Sequence, residues 1–272
     1  MQYAVSLRDV SLRLGQRYLW KHMELSIAPG EFVAVLGPNG AGKSSFVKML
    51  LGQYQATSGE VTVLGGQPKY ARNRIGYIPQ QKAFDKDVPI SGRNLVGFGI
   101  NGTKWFSTLS DTQKNRISES ISEVGATAYA DKPLGTLSGG EQQRLRIAQA
   151  VVSSPELLLC DEPLLSLDLA SQQNVSQILN NRCKKGAAIV FVTHEINPIL
   201  PLVDRVLYIV GGNWTIGTPT EVLTSAHLTK LYGAPVEVLR VHGRIIVISA
   251  GDQAAAEPQS THHHVHSEAD ER

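Results

Sequence analysis

The chain has 272 residues, enough for one large α/β domain, or that domain with a small insertion. Its 26 Lys and Arg nearly balance 24 Asp and Glu, so charge gives no strong field for nucleic acid, and no nucleic-acid partner is expected. Its 2 cysteines, Cys160 and Cys183, do not suggest a disulfide framework, no apolar stretch approaches the roughly 18 residues that span a bilayer, and residues 1–8 have no signal-peptide core.

Residues 3–28 alternate apolar and polar around Leu14-Gly15, with Val10, Leu12 and Leu14 on one side and Leu25 and Ile27 on the other. This predicts antiparallel strands of a small β layer. Residues 31–36 are a short apolar run with the look of a buried parallel strand, and the string Gly37-Pro38-Asn39-Gly40-Ala41-Gly42-Lys43-Ser44 follows it directly. That is a strand feeding a phosphate loop: the glycines let backbone N–H groups wrap a polyphosphate, Lys43 reaches its outer phosphates, and the Ser44 hydroxyl suits Mg²⁺. A helix over residues 45–51 adds its dipole, and a strand pair is expected over residues 59–66.

Beyond Gln80 the pattern changes, and residues 90–96 and 113–124 read as helical. At residues 137–144, Ser138 and Glu141 stand at capping-box spacing with Gly139 and Gly140 between them. Such a segment opens a helix, here residues 141–152 with Leu145, Ala148 and Val152 on one face, and leaves its first N–H groups free for an anion; standing alone, this spacing is more often only a cap. Residues 155–163 form an apolar strand ending in Asp161 and Glu162, which puts carboxylates at the edge where phosphate loops open; the plainer reading is a solvated acidic turn. Residues 187–193 are another strand-like run, ending in His194.

Taken in this order, the motifs resemble those of the nucleotide-binding subunit of an ATP-binding cassette transporter. Residues 37–44 match the family's Walker A loop, Gln80 its Q-loop, residues 137–141 its signature, residues 160–162 the end of its Walker B strand, residues 166–168 its D-loop, and His194 its switch histidine. The match covers residues 3–245, and the signature is specific, because other phosphate-loop enzymes lack it. The resemblance implies a phosphate-loop NTPase of the α/β class, with a mainly parallel sheet, an N-terminal antiparallel layer and a helical subdomain inserted over about residues 82–136. ATP and Mg²⁺ are the implied ligands. Gly37 through Ser44, with Ser45, would bind the phosphates, while Ser44, Gln80 and Asp161 would serve the metal. Glu162 would be the general base, Gln80 would sense Mg²⁺ and water, and His194 would hold the γ-phosphate and water in line. Ser138, Gly139 and Gly140 would bind the ATP of a second subunit, with Asp168 in the interface, so a functional homodimer is implied.

One departure concerns the base. The family usually has an aromatic residue before the first glycine to stack on adenine; here Leu14 stands there, and Tyr18 is a candidate substitute. Ser45, where the family more often has Thr, keeps the hydroxyl.

Residues 84–91 and 228–237 resemble the zinc and manganese importer branch. Of 8 histidines, His262, His263, His264 and His266 crowd a polar, acidic stretch at residues 251–272, read as a disordered tail with donors that suit Zn²⁺. The implied partners are a multi-span membrane permease and an extracytoplasmic metal-binding protein, with the chain at the cytoplasmic face of the membrane. The competing readings are an iron-siderophore or cobalamin importer, a non-transport ATPase of the same family, and a phosphate-loop kinase.

Overall fold

The computed structural model describes residues 2–80, 84–85, 87–102 and 109–249. The alternating N-terminal pattern forms two antiparallel strands, β1 (Val5–Leu14) and β2 (Arg17–Ile27), with Leu14 paired to Arg17 across the turn. β3 (Phe32–Leu36) is buried along its whole length, as a central parallel strand is. The helix after it, α1 (Lys43–Leu50), starts at Lys43 rather than Ser45.

The expected strand pair over residues 59–66 is a single strand, β4 (Ser58–Val63), which pairs with the free side of β1 to give the order β2-β1-β4. After Val63 the chain turns at once, and Gly66 closes a bridge back to Val63. Gly65 and Gly66 offer no side chains for a second strand to bury.

Next come β5 (Ile75–Ile78) and three helices, α2 (Gly92–Asn101), α3 (Asp111–Glu123) and α4 (Gly139–Val151). They are followed by β6 (Leu157–Asp161), α5 (Leu169–Lys184), β7 (Ala188–Val192), β8 (Arg205–Val210) and β9 (Asn213–Gly217). The large sheet has the order β5-β6-β7-β3-β8-β9; all neighbours are parallel except β9, which folds back on β8. The fold class is as expected, α/β with a mainly parallel sheet and a separate antiparallel layer.

The period of two along β3 divides the interior. Val33 and Val35 face Trp20, Phe46 and the N-terminal sheet, while Phe32, Ala34 and Leu36 face the side of α4 and α5. The inserted helices α2 and α3 bury Leu95, Val96, Ile117 and Ile121 in the same core as Leu145 of α4. Gly99 lets α2 lie directly on α4, since a Cβ there would stand 2.1 Å from the Gln149 carbonyl oxygen. The C-terminal ends of α3, α4 and α5 meet at a polar cleft lined by Arg116, Glu119, Glu123, Arg182 and Lys185, in which Arg182 pairs with Glu123 at 2.6 Å and so ties α5 to α3.

After β9 come a short helix, α6 (Pro219–Val222), then α7 (Ser225–Tyr232), and a hairpin of β10 (Val236–Val241) and β11 (Arg244–Ser249). Its turn residues His242 and Gly243 both have positive φ, 49° and 76°, the geometry that matches strand twist in a two-residue loop. The expected disordered, His-rich stretch at residues 251–272 lies outside the described residues.

Candidate active site

Four neighbouring parallel strands deliver the predicted groups to one end of the sheet. Gln80 follows β5, Asp161 and Glu162 stand at the end of β6, His194 follows β7 closely, and the glycine loop follows β3. Ligands of open α/β sheets collect at the carboxyl ends of the strands, and these do.

The loop is tight because it lies on β8: a Cβ on Gly37, at φ 141°, would be 2.0 Å from the Ile209 carbonyl oxygen. Gly42 caps α1 at φ 106° with no side-chain bond, so no side chain covers the first N–H groups of the helix. Lys43 curls back, its Nζ donating to the carbonyls of Gly37 (2.7 Å) and Pro38 (3.1 Å). Burial lowers the Lys43 ammonium from its ordinary pKa, opposed by the charges of Glu162 and Asp161.

Across the cleft, the Ser44 hydroxyl donates to Asp161 Oδ1 at 3.2 Å. Burial raises the Asp161 carboxyl above the ordinary range, partly offset by the bond from Ser44 and by Lys48 and Lys43. Glu162 takes a left-handed backbone, φ 52°, while its N–H donates to Val192 O at 3.0 Å. For a non-glycine residue this conformation is strained, and here it turns the side chain out of the strand to meet His194. Glu162 Oε2 and His194 Nδ1 are 2.9 Å apart, the carboxylate largely buried and the imidazole exposed.

The resulting cleft encloses about 370 Å³ and is lined by Asn39, Gly40, Gly42, Lys43, Ser44, Ser45, Gln80, Asp161 and Glu162, with Leu14, Leu19 and Val192 as its apolar wall. Tyr18 is not on that wall. It alternates with Leu19 along β2, so its ring takes the opposite face, against Lys21 Nζ (4.5 Å from the ring centre) and Arg13. Tyr18, the candidate substitute for the missing aromatic residue, therefore lies off this cleft, whose apolar side is aliphatic.

Ser138, Gly139, Gly140 and Asp168 form a second cluster that does not line this cleft. Ser138 and Glu141 make a complete capping box: Ser138 Oγ accepts from Glu141 N (3.3 Å), and Glu141 Oε2 accepts from both Ser138 N and Ser138 Oγ (2.8 Å each). The helix starts at Gly139, not Glu141, because the cap precedes both glycines. Asp168 caps α5, its carboxylate accepting from Ser171 N (2.8 Å) and Ser171 Oγ (2.9 Å). Arg144 donates to the same Ser171 hydroxyl at 3.0 Å, which fastens α4 to the start of α5.

Three residues of α4 to which the sequence assigned no role fasten the helix to its surroundings, and one of them, Gln143, reaches the end of the Asp161–Glu162 segment. Buried Gln143 donates to Pro163 O, just past Glu162; Gln142 bridges Leu134 O, Leu137 O and the Phe84 N–H; Arg146 stacks its guanidinium 4.4 Å from the centre of the Phe84 ring. With Gln149, a wall of the neighbouring cavity, Gln142 and Arg146 make a polar stripe at positions i, i+4 and i+7, the one local signal for them. Among the described residues no group of three His, Cys, Asp or Glu could hold a metal ion, and no helix is long and apolar enough to cross a membrane.

A model of the ABC transporter family matches residues 20–165. The zinc transport system ATP-binding protein TroB of Treponema pallidum is 32% identical over 235 residues, covering 86% of this chain and 88% of the relative. The manganese transport system ATP-binding protein MntB of Halalkalibacterium halodurans is 30% identical over 250 residues, covering 92% and 100%. A dimeric ATP-binding cassette in a post-hydrolysis state, bound to ADP and phosphate, superposes with a TM-score of 0.66 at 27% identity, covering 78% of this chain and 97% of the neighbour.

Proposed function

The chain belongs to the ABC transporter family of ATP-hydrolysing subunits, and from that premise we propose that it powers import of a divalent metal ion, zinc or manganese. The observation that carries the catalytic half is the Glu162–His194 pair standing beside a cleft that already holds Lys43, Ser44 and Asp161. The cargo rests on the two transport relatives and on the sequence of residues 84–91 and 228–237.

The roles follow from the chemistry of each group. The uncovered amides of α1 and the Lys43 ammonium receive the phosphates of ATP; Lys43 exchanges its bonds to Gly37 and Pro38 for phosphate oxygens. Ser44 and Asp161 are hard oxygen donors that already meet, which suits Mg²⁺, and a cation beside buried Asp161 would restore its charged form. When bound there, Mg²⁺ neutralises charge on the phosphate oxygens. Glu162 accepts a proton from the attacking water as the new oxygen–phosphorus bond forms and the bond to ADP breaks, while His194 holds Glu162 and the reacting phosphate in line. Gln80 stands at the edge of the cleft and of the cavity beside α4, and passes the state of the site to the inserted helices.

Ser138, Gly139, Gly140 and Asp168 act on the ATP of a second copy, consistent with their absence from this chain's own cleft. Two copies then form the working unit, docked on a membrane permease at the cytoplasmic face and supplied by an extracytoplasmic metal-binding protein. The test is metal accumulation in cells that lack the gene. Restoration of zinc or manganese uptake by the wild-type chain and not by Glu162→Gln is expected; restoration of siderophore-iron or cobalamin uptake instead would replace the cargo and leave the ATPase.

A further inference from the structure

The hairpin β10–β11 lies far from the phosphate loop in sequence, yet it touches the segment that carries His194. Asn197 Nδ2 donates to Ile245 O at 3.0 Å, and Ile245 N donates to Asn197 Oδ1 at 2.7 Å. Ile245 pairs with Arg240 in the hairpin register, and both of its main-chain groups go to Asn197. A single amide thereby mimics a strand on the edge of β11. The hairpin is itself anchored: Thr229 Oγ1 both donates to Val236 O and accepts from Val236 N, and Ser225 Oγ accepts from Val238 N.

Between the hairpin and the catalytic loop lies a cavity of about 270 Å³, with Gly37, His194 and Asn197 on one side and Ile245 and Val247 on the other. The two walls stand apart at His194, whose side chain is 59% exposed, and Asn197 joins them. Nearer the histidine, the segment is braced locally by Thr193 Oγ1, which bonds Glu195 N and Glu195 O.

We propose that Asn197 is a positioning residue for hydrolysis, splicing the His194 loop onto the edge of β11 so that the C-terminal hairpin sets where the imidazole stands over Glu162. It deepens the reading above, because it rests on His194 serving the reaction. Asn197 touches no reacting atom; it acts through the backbone of residues 194–197. Loss of its two bonds frees the loop across the cavity, and a displacement of order 1 Å at an aligned group is enough to slow a reaction strongly.

A mutant cycle on the full chain tests it, with steady-state ATP hydrolysis and thermal midpoint measured for wild type, Asn197→Ala, His194→Ala and the double variant. We expect Asn197→Ala to lower kcat about tenfold with KM for ATP within about twofold, and to have no further effect once His194 is already Ala. Asn197→Asp keeps the acceptor for Ile245 N and loses the donor, and is expected to fall between wild type and Asn197→Ala at an unchanged midpoint. If His194→Ala is impaired while Asn197→Asp and Asn197→Ala, both folded, turn over normally, the positioning role is wrong and the histidine's role stands. If the two losses multiply, Asn197 acts elsewhere and the proposal falls. If His194→Ala turns over normally, the reading of His194 itself is wrong and this proposal goes with it.

Discussion

Two glycine-rich helix starts, at α1 and at α4, look alike in sequence and differ in how they are finished. The first ends its loop at Gly42, which offers no side chain, so the opening amides of α1 face a cleft already lined by Lys43 and Ser44. The second begins at Ser138, whose hydroxyl and N–H are both engaged by Glu141, and it lies away from that cleft. The lesson is about readiness. An uncapped helix end leaves all its first amides open to an anion, whereas at the capped end the Glu141 amide is taken by Ser138 and only the glycine amides remain.

The largest effect that bears on this contrast is at the first region. Glu162→Gln is expected to keep ATP binding and reduce hydrolysis by roughly 10²-fold or more, measured by nucleotide binding and phosphate release in the same preparation. Near-normal turnover would remove Glu162 as the base. Next, Lys43→Ala is expected to weaken ATP binding by about 10- to 100-fold, the worth of a charge-assisted hydrogen bond in a partly buried site. Ser138→Ala sharpens the other side of the comparison: ATP affinity of the isolated chain stays within about twofold, stability falls by about 1 kcal/mol through the lost cap, and hydrolysis drops. A matching loss of ATP affinity would place Ser138 in its own chain's site.

Smaller still is the effect of dilution. If Ser138, Gly139 and Gly140 serve a second copy, specific hydrolysis should decline as protein concentration falls, and total hydrolysis strictly proportional to concentration would return the signature to a role within one chain. The smallest is electrostatic. Bonds from Ser138 hold the Glu141 carboxyl below its ordinary pKa of 4.5, and bonds from Ser171 hold Asp168 below 3.8. A depressed carboxylate stabilises the fold fully above its ordinary pKa, and that stabilisation is lost as pH falls through the lower folded value. Thermal midpoints followed from pH 6 downward, a range chosen around ordinary carboxylate titration, should decline less steeply for Glu141→Gln than for wild type. Parallel curves would mean that the charge of Glu141 contributes nothing to the cap.

Where the chemistry is local, the sequence shows it. The loop of residues 37–44 is legible because the backbone can wrap phosphate only with glycine at set places, and the cap at Ser138 because a hydroxyl must stand three residues before the amide it accepts from; the matching cap that Asp168 makes on Ser171 N came only with the structure. β3 and β7 are legible as short, wholly apolar runs between polar segments, and β6 as such a run closed by Asp161. The apolar wall of the cleft was not, since neighbouring strand residues face opposite ways and only the register of β2 decides that Leu19, not Tyr18, meets the cleft. β4 was overread as a pair for a related reason: a glycine turn looks the same whether or not a strand follows it.

By itself, then, the sequence named the candidate groups and the strands and loops that carry them, because motif spacing and apolar runs act over a few residues. Tertiary structure decided which groups share a site. The Glu162–His194 contact spans 32 residues, the Ser44–Asp161 bond 117, and the Asn197–Ile245 clasp 48. Contacts of that reach depend on strand order and register, which the whole core sets at once; no local pattern along the chain specifies them.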